Sequence, residues 1–439
     1  MLKKNSFDSN RTYIVKILLA VFFIFMVIFP LIKMLSYLFQ ADVKKIVQGV
    51  QFATALKNSL VSTFVSTIIS VCLAYILAFC VHRTQTRHKT IITVLLTLPM
   101  LIPSVSHGMG LILLFGSNGI ITNIFNLKSS IYGFTGVVTG SVMYSFPVAF
   151  LMISDVLKYQ DYTPYEACEV LNIKGLARFK AVTFPYFRKP LISVFFATFT
   201  MIVTDYGVPL MIGGKYMTLP VLMYQEVIGM LDFAKGATIG TFFLIPAVIA
   251  FILDMVNKDK ASSSFTKKPF PKKVSKTILI LAYIFCYTII LFVLLPILSF
   301  IILSVVKKYP INMSFTFNHI LKTLNTGGLK YLGNSIIIAT MTALIGTICA
   351  FGTAYFSARS PGKASKFLHM IAITTLAIPG LVLGLSYMLF FKGTFLYATF
   401  AILILVNTMH FFSSPYLMAY NSFSKINMNL EAVAQTLGL

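Results

Sequence analysis

Tyr159–Pro190 reads YQDYTPYEACEVLNIKGLARFKAVTFPYFRKP. It is a polar island between two apolar runs, near 133–157 and 191–212. About 20 consecutive apolar residues are enough for a helix to cross the ~30 Å hydrocarbon layer of a bilayer. The runs on either side therefore read as membrane helices, and the island as the connection between them.

Composition carries this reading outward to the whole chain. Hydrophobic residues make up 57% of the 439 residues, charged residues 11%, and the mean hydropathy is +0.86. A soluble domain carries about 25% charged residues because its surface faces water. Lipid must be the main solvent here, so counting spans replaces the usual length-to-domain prior. Spans fall near 14–39, 58–82, 90–116, 133–157, 191–212, 236–257, 277–306, 334–358, 366–391 and 396–423. The expected fold is an all-α polytopic membrane protein with about ten spans.

The basic start (Lys3, Lys4, Arg11, Lys16) and the following apolar run share two features with a leader peptide. The run is too long for one and no small-residue cleavage site follows, so it reads as the first span. The net charge is +24. Its lysines and arginines sit in short connections beside apolar runs, as the positive-inside rule expects, and no basic face interleaved with aromatics suggests nucleic-acid binding. About two thirds of the 36 basic residues fall on one side if the N-terminus is cytoplasmic, which sets the expected orientation. The island then lies inside the cell.

Four of the five cysteines lie inside apolar runs, and there is no CxxC pair. They read as small packing residues, without a disulfide frame or metal site. The six histidines are dispersed, which gives a zinc site no support.

Residues 258–276, KDKASSSFTKKPFPKKVSK, have no apolar face and read as a flexible cytoplasmic linker. The sequence on one side echoes that on the other at a constant offset. Asn58-Ser59 matches Asn334-Ser335, Ala74 matches Ala350, Ala78 matches Ala354, Arg83 matches Arg359, Pro103 matches Pro379 and Gly108 matches Gly384. Apolar composition alone does not readily align Asn, Arg, Pro and Gly. The expected organisation is a first half at 1–257, the linker at 258–276 and a second half at 277–439. Six spans pass before the pattern recurs, so the repeats are parallel rather than inverted. Pro99, Pro103 and Pro379 remove backbone donors within spans. The first reading is a packing kink, the second a bend lining a translocation path.

The island closely resembles the cytoplasmic Glu-Ala-Ala loop of binding-protein-dependent ABC importer permeases. The family pattern is Glu-Ala-Ala, three residues, Gly, nine residues, then Ile-x-Leu-Pro. Counting from Glu166-Ala167-Cys168, the Gly falls on Asn172 and the closing tetrad on Val182-Thr183-Phe184-Pro185. Asn is the next-best residue to Gly where a helix ends in a left-handed turn. A second, partial copy reads NLEAVAQTLGL over 429–439. With Gly438 on the family Gly, Val433 and Ala434 occupy the two Ala positions and Glu431 is one residue early. The second half is expected to be truncated in this loop, lacking two spans relative to the first.

The resemblance implies a multi-pass permease of the bacterial plasma membrane. Its implied partners are two copies of an ABC ATPase, an extracytoplasmic substrate-binding protein and membrane lipid, with no cofactor. It implies ATPase docking through Glu166, Ala167, Cys168, Asn172, Phe184 and Pro185, and through Glu431, Ala434 and Gly438. The chain has no GxxxxGK[ST] phosphate loop, so ATP hydrolysis would belong to a separate subunit. The fused two-half form resembles permeases for ferric iron, thiamine, polyamines and phosphonates. The segment Asp205-Tyr-Gly-Val-Pro209 looks most like the ferric-iron group. Asp205, Pro103 and Pro379 are the candidate residues of the translocation path. Asp205 also has a structural reading, as the acceptor that satisfies a helix break. Residues 213–235 read as an external, partly interfacial hairpin. A secondary transporter is the alternative of another class. It predicts inverted repeats or several paired intramembrane charges, neither of which the sequence displays.

Overall fold

A computed structural model describes residues 6–84, 86–126, 131–257, 268, 270, 275–309, 311–359 and 362–426. Among them the chain is almost entirely helical. One short antiparallel strand pair joins Val306–Lys308 to Asn312–Phe315, with Val306 opposite Phe315 and Lys308 opposite Asn312. Eight helices are long and apolar enough to cross a membrane, and two bent helix pairs bring the total to ten if each pair is one span. The chain is an all-α polytopic membrane protein.

The Val50–Arg83 helix shows how such a fold inverts the logic of a soluble one. Its buried positions include Ser59, Ser62, Thr63, Ser66, Thr67 and Ser70, while Leu60, Val61, Phe64, Ile68 and Ile69 are exposed. Lipid accepts the apolar side chains. Small and hydroxyl residues face neighbouring helices, because they allow close approach and bond within the bundle. The Ser70 and Ser145 hydroxyls meet at 2.8 Å, and Thr67 returns its hydroxyl proton to the Thr63 carbonyl.

The span expected at 90–116 is broken in two. Lys89–Leu101 ends, Ile102 and Pro103 are extended, and a new helix starts at Ser104. Pro103 has φ −55° and ψ 143° and serves as the N-cap. Pro379 repeats this with φ −57° and ψ 141°, between helices bent by 107°. A proline fixes its own φ and pushes the residue before it out of the helical region, so both spans are broken rather than kinked. The span expected at 191–212 likewise ends at Val203, and a separate short helix runs Gly207–Ile212. Within the segment 213–235, part of the chain is packed into the bundle. Leu219–Met223 are buried, and the Leu219 N–H donates to the Ser59 hydroxyl at 2.7 Å. Asn58 Nδ2 donates to the Met217 carbonyl at 2.9 Å.

The helices divide into two compact units. One comprises Val47–Gln225 and Pro246–Lys322. Leu77, Leu96, Leu111, Phe146 and Phe150 form its core together with Cys286, Ile290 and Val293 of the Lys276–Ser304 helix. The other comprises Met1–Ile46, Glu226–Ile245 and Thr323–Leu439. In it Phe23 meets Phe412 edge-on at 4.7 Å and Phe25 meets Phe390 at 5.5 Å. The compact units do not follow the expected halves 1–257 and 277–439. The first span packs with the later residues, and the Lys276–Ser304 helix packs with the earlier ones.

Candidate functional site

The island folds into a short helix, Thr163–Val170, a turn, and a long helix from Gly175 to Val203 that returns into the spanning region. Pro164 lies in the first turn of the short helix, where a missing N–H costs nothing. Just before it, the Asp161 carboxylate accepts from the Thr163 N–H at 3.1 Å and from the Thr163 hydroxyl at 2.9 Å. The Thr163 and Lys268 N–H groups hold the Asp161 carboxyl below the usual carboxylate range.

The short helix stops at Asn172, as the spacing predicts. Asn172 has φ +55°, its N–H donates to the Glu169 carbonyl at 3.1 Å, and the Ile173 N–H donates to the Cys168 carbonyl at 2.8 Å. These two bonds make a Schellman motif, which uses the last carbonyls of the helix and turns the chain. Pro185 lies in the first turn of the α-helical stretch Phe184–Val203. A wide π-helical turn at Phe179–Thr183 precedes it, and Pro185 supplies no N–H to the turn behind it.

Arg83 anchors the loop to the spans. Arg83, the last residue of its helix, bonds through Nη2 to Gln160 Oε1. Gln160 Nε2 donates to the Tyr165 hydroxyl at 2.8 Å, and that hydroxyl donates to Thr183 Oγ1 at 3.0 Å. This chain of bonds joins the end of one span to both arms of the loop. Its repeat mate Arg359 makes an analogous anchor, donating to the Phe423 carbonyl at 3.3 Å and the Ile426 carbonyl at 2.7 Å. Arg83 matched Arg359 in the sequence, but only the fold gives both a job.

The expected docking residues fall into two groups. Ala167, Asn172, Phe184 and Pro185 are exposed, and Glu166 is partly so. Cys168 is only 4% exposed, so its small side chain is not offered at the surface. Sequence reasoning missed an apolar strip beside Ala167. Val170 is 86% exposed, Leu171 69% and Leu176 67%, with Phe179 also exposed. The signal was in the sequence, as apolar residues inside a polar island. Tyr162 donates its hydroxyl proton to Glu169 at 2.6 Å, which pushes the phenol up to about 12. Glu431, Ala434 and Gly438 lie outside the described residues.

Asp205 is half-buried, and both carboxylate oxygens are occupied by the local backbone. Oδ1 accepts from the Gly207 N–H at 3.2 Å and Oδ2 from the Val208 N–H at 3.1 Å. The space beside it, lined by Ser59, Thr63, Ser141 and Thr218 among others, is about 10 Å³, room for about one water. Asp205 thus satisfies the helix break between Val203 and Gly207. Pro103 and Pro379 form the helix breaks described above. Among the described residues no group of three or more His, Cys, Asp or Glu could hold a metal.

Residues 70–258 match the family described as "Binding-protein-dependent transport system inner membrane component". This segment contains the whole island and its anchor. The chain is 24% identical over 349 residues to the ferric transport system permease protein FbpB of Actinobacillus pleuropneumoniae, covering 75% of this chain and 50% of that protein. It is 26% identical over 314 residues to the thiamine transport system permease protein ThiP of Haemophilus influenzae, covering 67% of this chain and 55% of that protein. The chain therefore spans about half the length of the curated permeases it matches. Among solved structures, a bacterial alginate ABC transporter in complex with its pentasaccharide-bound periplasmic protein matches with a TM-score of 0.45 and 12% identity, over 58% of this chain and 96% of that one.

Proposed function

We propose that this chain is a membrane-spanning permease subunit of an ATP-driven importer, and that it forms part of the path for a small solute delivered by an extracytoplasmic binding protein. The observation that carries the proposal is the Thr163–Val170 helix inside the family segment. It presents Glu166, Ala167 and an exposed apolar strip on a loop braced to the spans through Arg83. A small residue flanked by a carboxylate and exposed Val170 and Leu171 suits insertion into a groove of a soluble subunit, because an amphipathic helix laid in a groove buries its apolar residues.

In this reading the N-terminus and the loop are cytoplasmic in a bacterial plasma membrane. One ATPase engages Glu166, Ala167, Asn172, Phe184, Pro185 and the apolar strip, while a second engages the loop that contains Glu431, Ala434 and Gly438. The ATPases hydrolyse ATP, and their closure drives the membrane helices between two states. The repeat halves 1–257 and 277–439 each supply one docking loop, joined by the linker at 258–276. The breaks at Pro103 and Pro379 lie at matching places in the two halves and border the path, with Asp205 a fixed polar point beside it.

The solute assigned is ferric iron or a similar small ion, in line with the FbpB relatives and the Asp205-Tyr-Gly-Val-Pro209 segment. Thiamine is the second reading, favoured by the ThiP relatives. The test is ATP hydrolysis by the transporter reconstituted in lipid with its ATPase. Iron-loaded binding protein should stimulate it several-fold more than thiamine-loaded binding protein. The reverse order would move the assignment to thiamine, and no stimulation by any loaded binding protein would contradict the importer reading.

A further inference from the structure

Two residues of the linker lie on the loop and meet it at every level. The Tyr162 N–H donates to the Lys268 carbonyl at 2.9 Å, and the Lys268 N–H donates to Asp161 Oδ1 at 3.0 Å. This two-point backbone clasp fixes the register of the linker against the loop. Lys268 Nζ then reaches Glu166 Oε1 at 2.5 Å. Phe270 stands edge-on to both Tyr162 and Tyr165, with ring centroids 4.9 Å away in each case. The Arg83 guanidinium lies 3.7 Å from the centre of the Phe270 ring. A polar tether needs none of these contacts. An acidic group, a two-tyrosine box and a cation together select a lysine followed, two residues on, by an aromatic ring.

We propose that Arg83, Asp161, Tyr162, Tyr165 and Glu166 form a binding site for a lysine–x–aromatic segment, that Lys268 and Phe270 of the chain's own linker fill it, and that the filled site withholds Glu166 from the ATPase. This rests on the reading of Glu166 as a docking residue. The carboxylate that would pair across the interface is already paired within the chain. Docking must first release Lys268, so the linker acts as a competitor held at high effective concentration. Release of the linker sets the resting affinity for the ATPase.

Two measurements on the full chain in detergent separate this proposal from the reading beneath it. A carbodiimide joins a lysine and a carboxylate only when they are in contact, and mass spectrometry reads the product. The wild type should give a Lys268–Glu166 crosslink, and Phe270→Ala should reduce its yield about fivefold or more. Equal yield in Phe270→Ala would overturn the site. In the second arm, association of the purified ATPase is titrated against the same proteins. Phe270→Ala should tighten it about fivefold, roughly the effect of removing one modest competing contact. Unchanged or weaker association in Phe270→Ala would overturn the competition. Glu166→Lys is the control for the underlying reading. If it leaves ATPase association at the wild-type level, Glu166 is not a docking residue, whatever the crosslink shows.

Discussion

Asn172 is the residue at which sequence and structure agree most closely. The family spacing puts it where a helix must end in a left-handed turn, and its φ is +55°. A glycine there meets no penalty, whereas a β-branched residue in that conformation is strained by roughly 1–2 kcal/mol. Asn172→Gly should therefore keep ATPase association at the wild-type level, and Asn172→Val should weaken it about tenfold, read by titration of the ATPase. Equal association in the two variants would mean that the turn does not position Glu166. Asp205 was legible only in part. Its sequence context offered both a path residue and an acceptor for a helix break, and the bonds to Gly207 and Val208 assign the second role. Cys168 was read as a surface contact because small residues mark close approach. Spacing does not say which side of a short helix faces inward, and here Cys168 lies on the covered side. Lys268 and Phe270 were not legible as a site. They lie far from Glu166 in sequence, in a stretch whose lysines and serines read as a flexible tether.

At the scale of elements, hydropathy located the spans well because lipid imposes their length. It did not reveal their faces, because the buried side of Val50–Arg83 is the more polar one. Nor did it show that the spans at 90–116, 191–212 and 366–391 are broken outright, although Pro103 and Pro379 mark two of the breaks. The repeat aligned Gly108 with Gly384, and their surroundings differ. A Cβ at Gly108 would lie 2.8 Å from Met211 Cβ and 3.2 Å from the Val208 carbonyl oxygen, whereas a Cβ at Gly384 meets nothing within 4 Å among the described residues. Helices that approach this closely cannot accept a larger side chain without moving, and overpacking of this kind costs about 1–3 kcal/mol. Gly108→Leu should lower the melting temperature of the solubilised protein by several degrees. Gly384→Leu should leave it nearly unchanged. Equal shifts for the pair would contradict the close packing of the Ser104–Phe125 helix.

At the scale of the molecule, the repeat described the chain as two successive halves, while the packing distributes it differently. Residues 1–46 share a unit with 323–439, and residues 246–322 share one with 47–225. A linear sequence shows where a pattern recurs. It does not show which copy of a span packs with which bundle, since any lipid-facing helix satisfies the same hydropathy. The proposed function places the coupling of ATP hydrolysis to the membrane helices at the loop carrying Glu166. The most direct measurement is co-purification of the ATPase with Glu166→Lys, alongside uptake by membrane vesicles that contain the same amount of inserted protein. The account predicts normal insertion, at least tenfold weaker ATPase association and no uptake, since a lysine in place of the carboxylate turns an attraction into a repulsion. Wild-type association and uptake in that variant would contradict it.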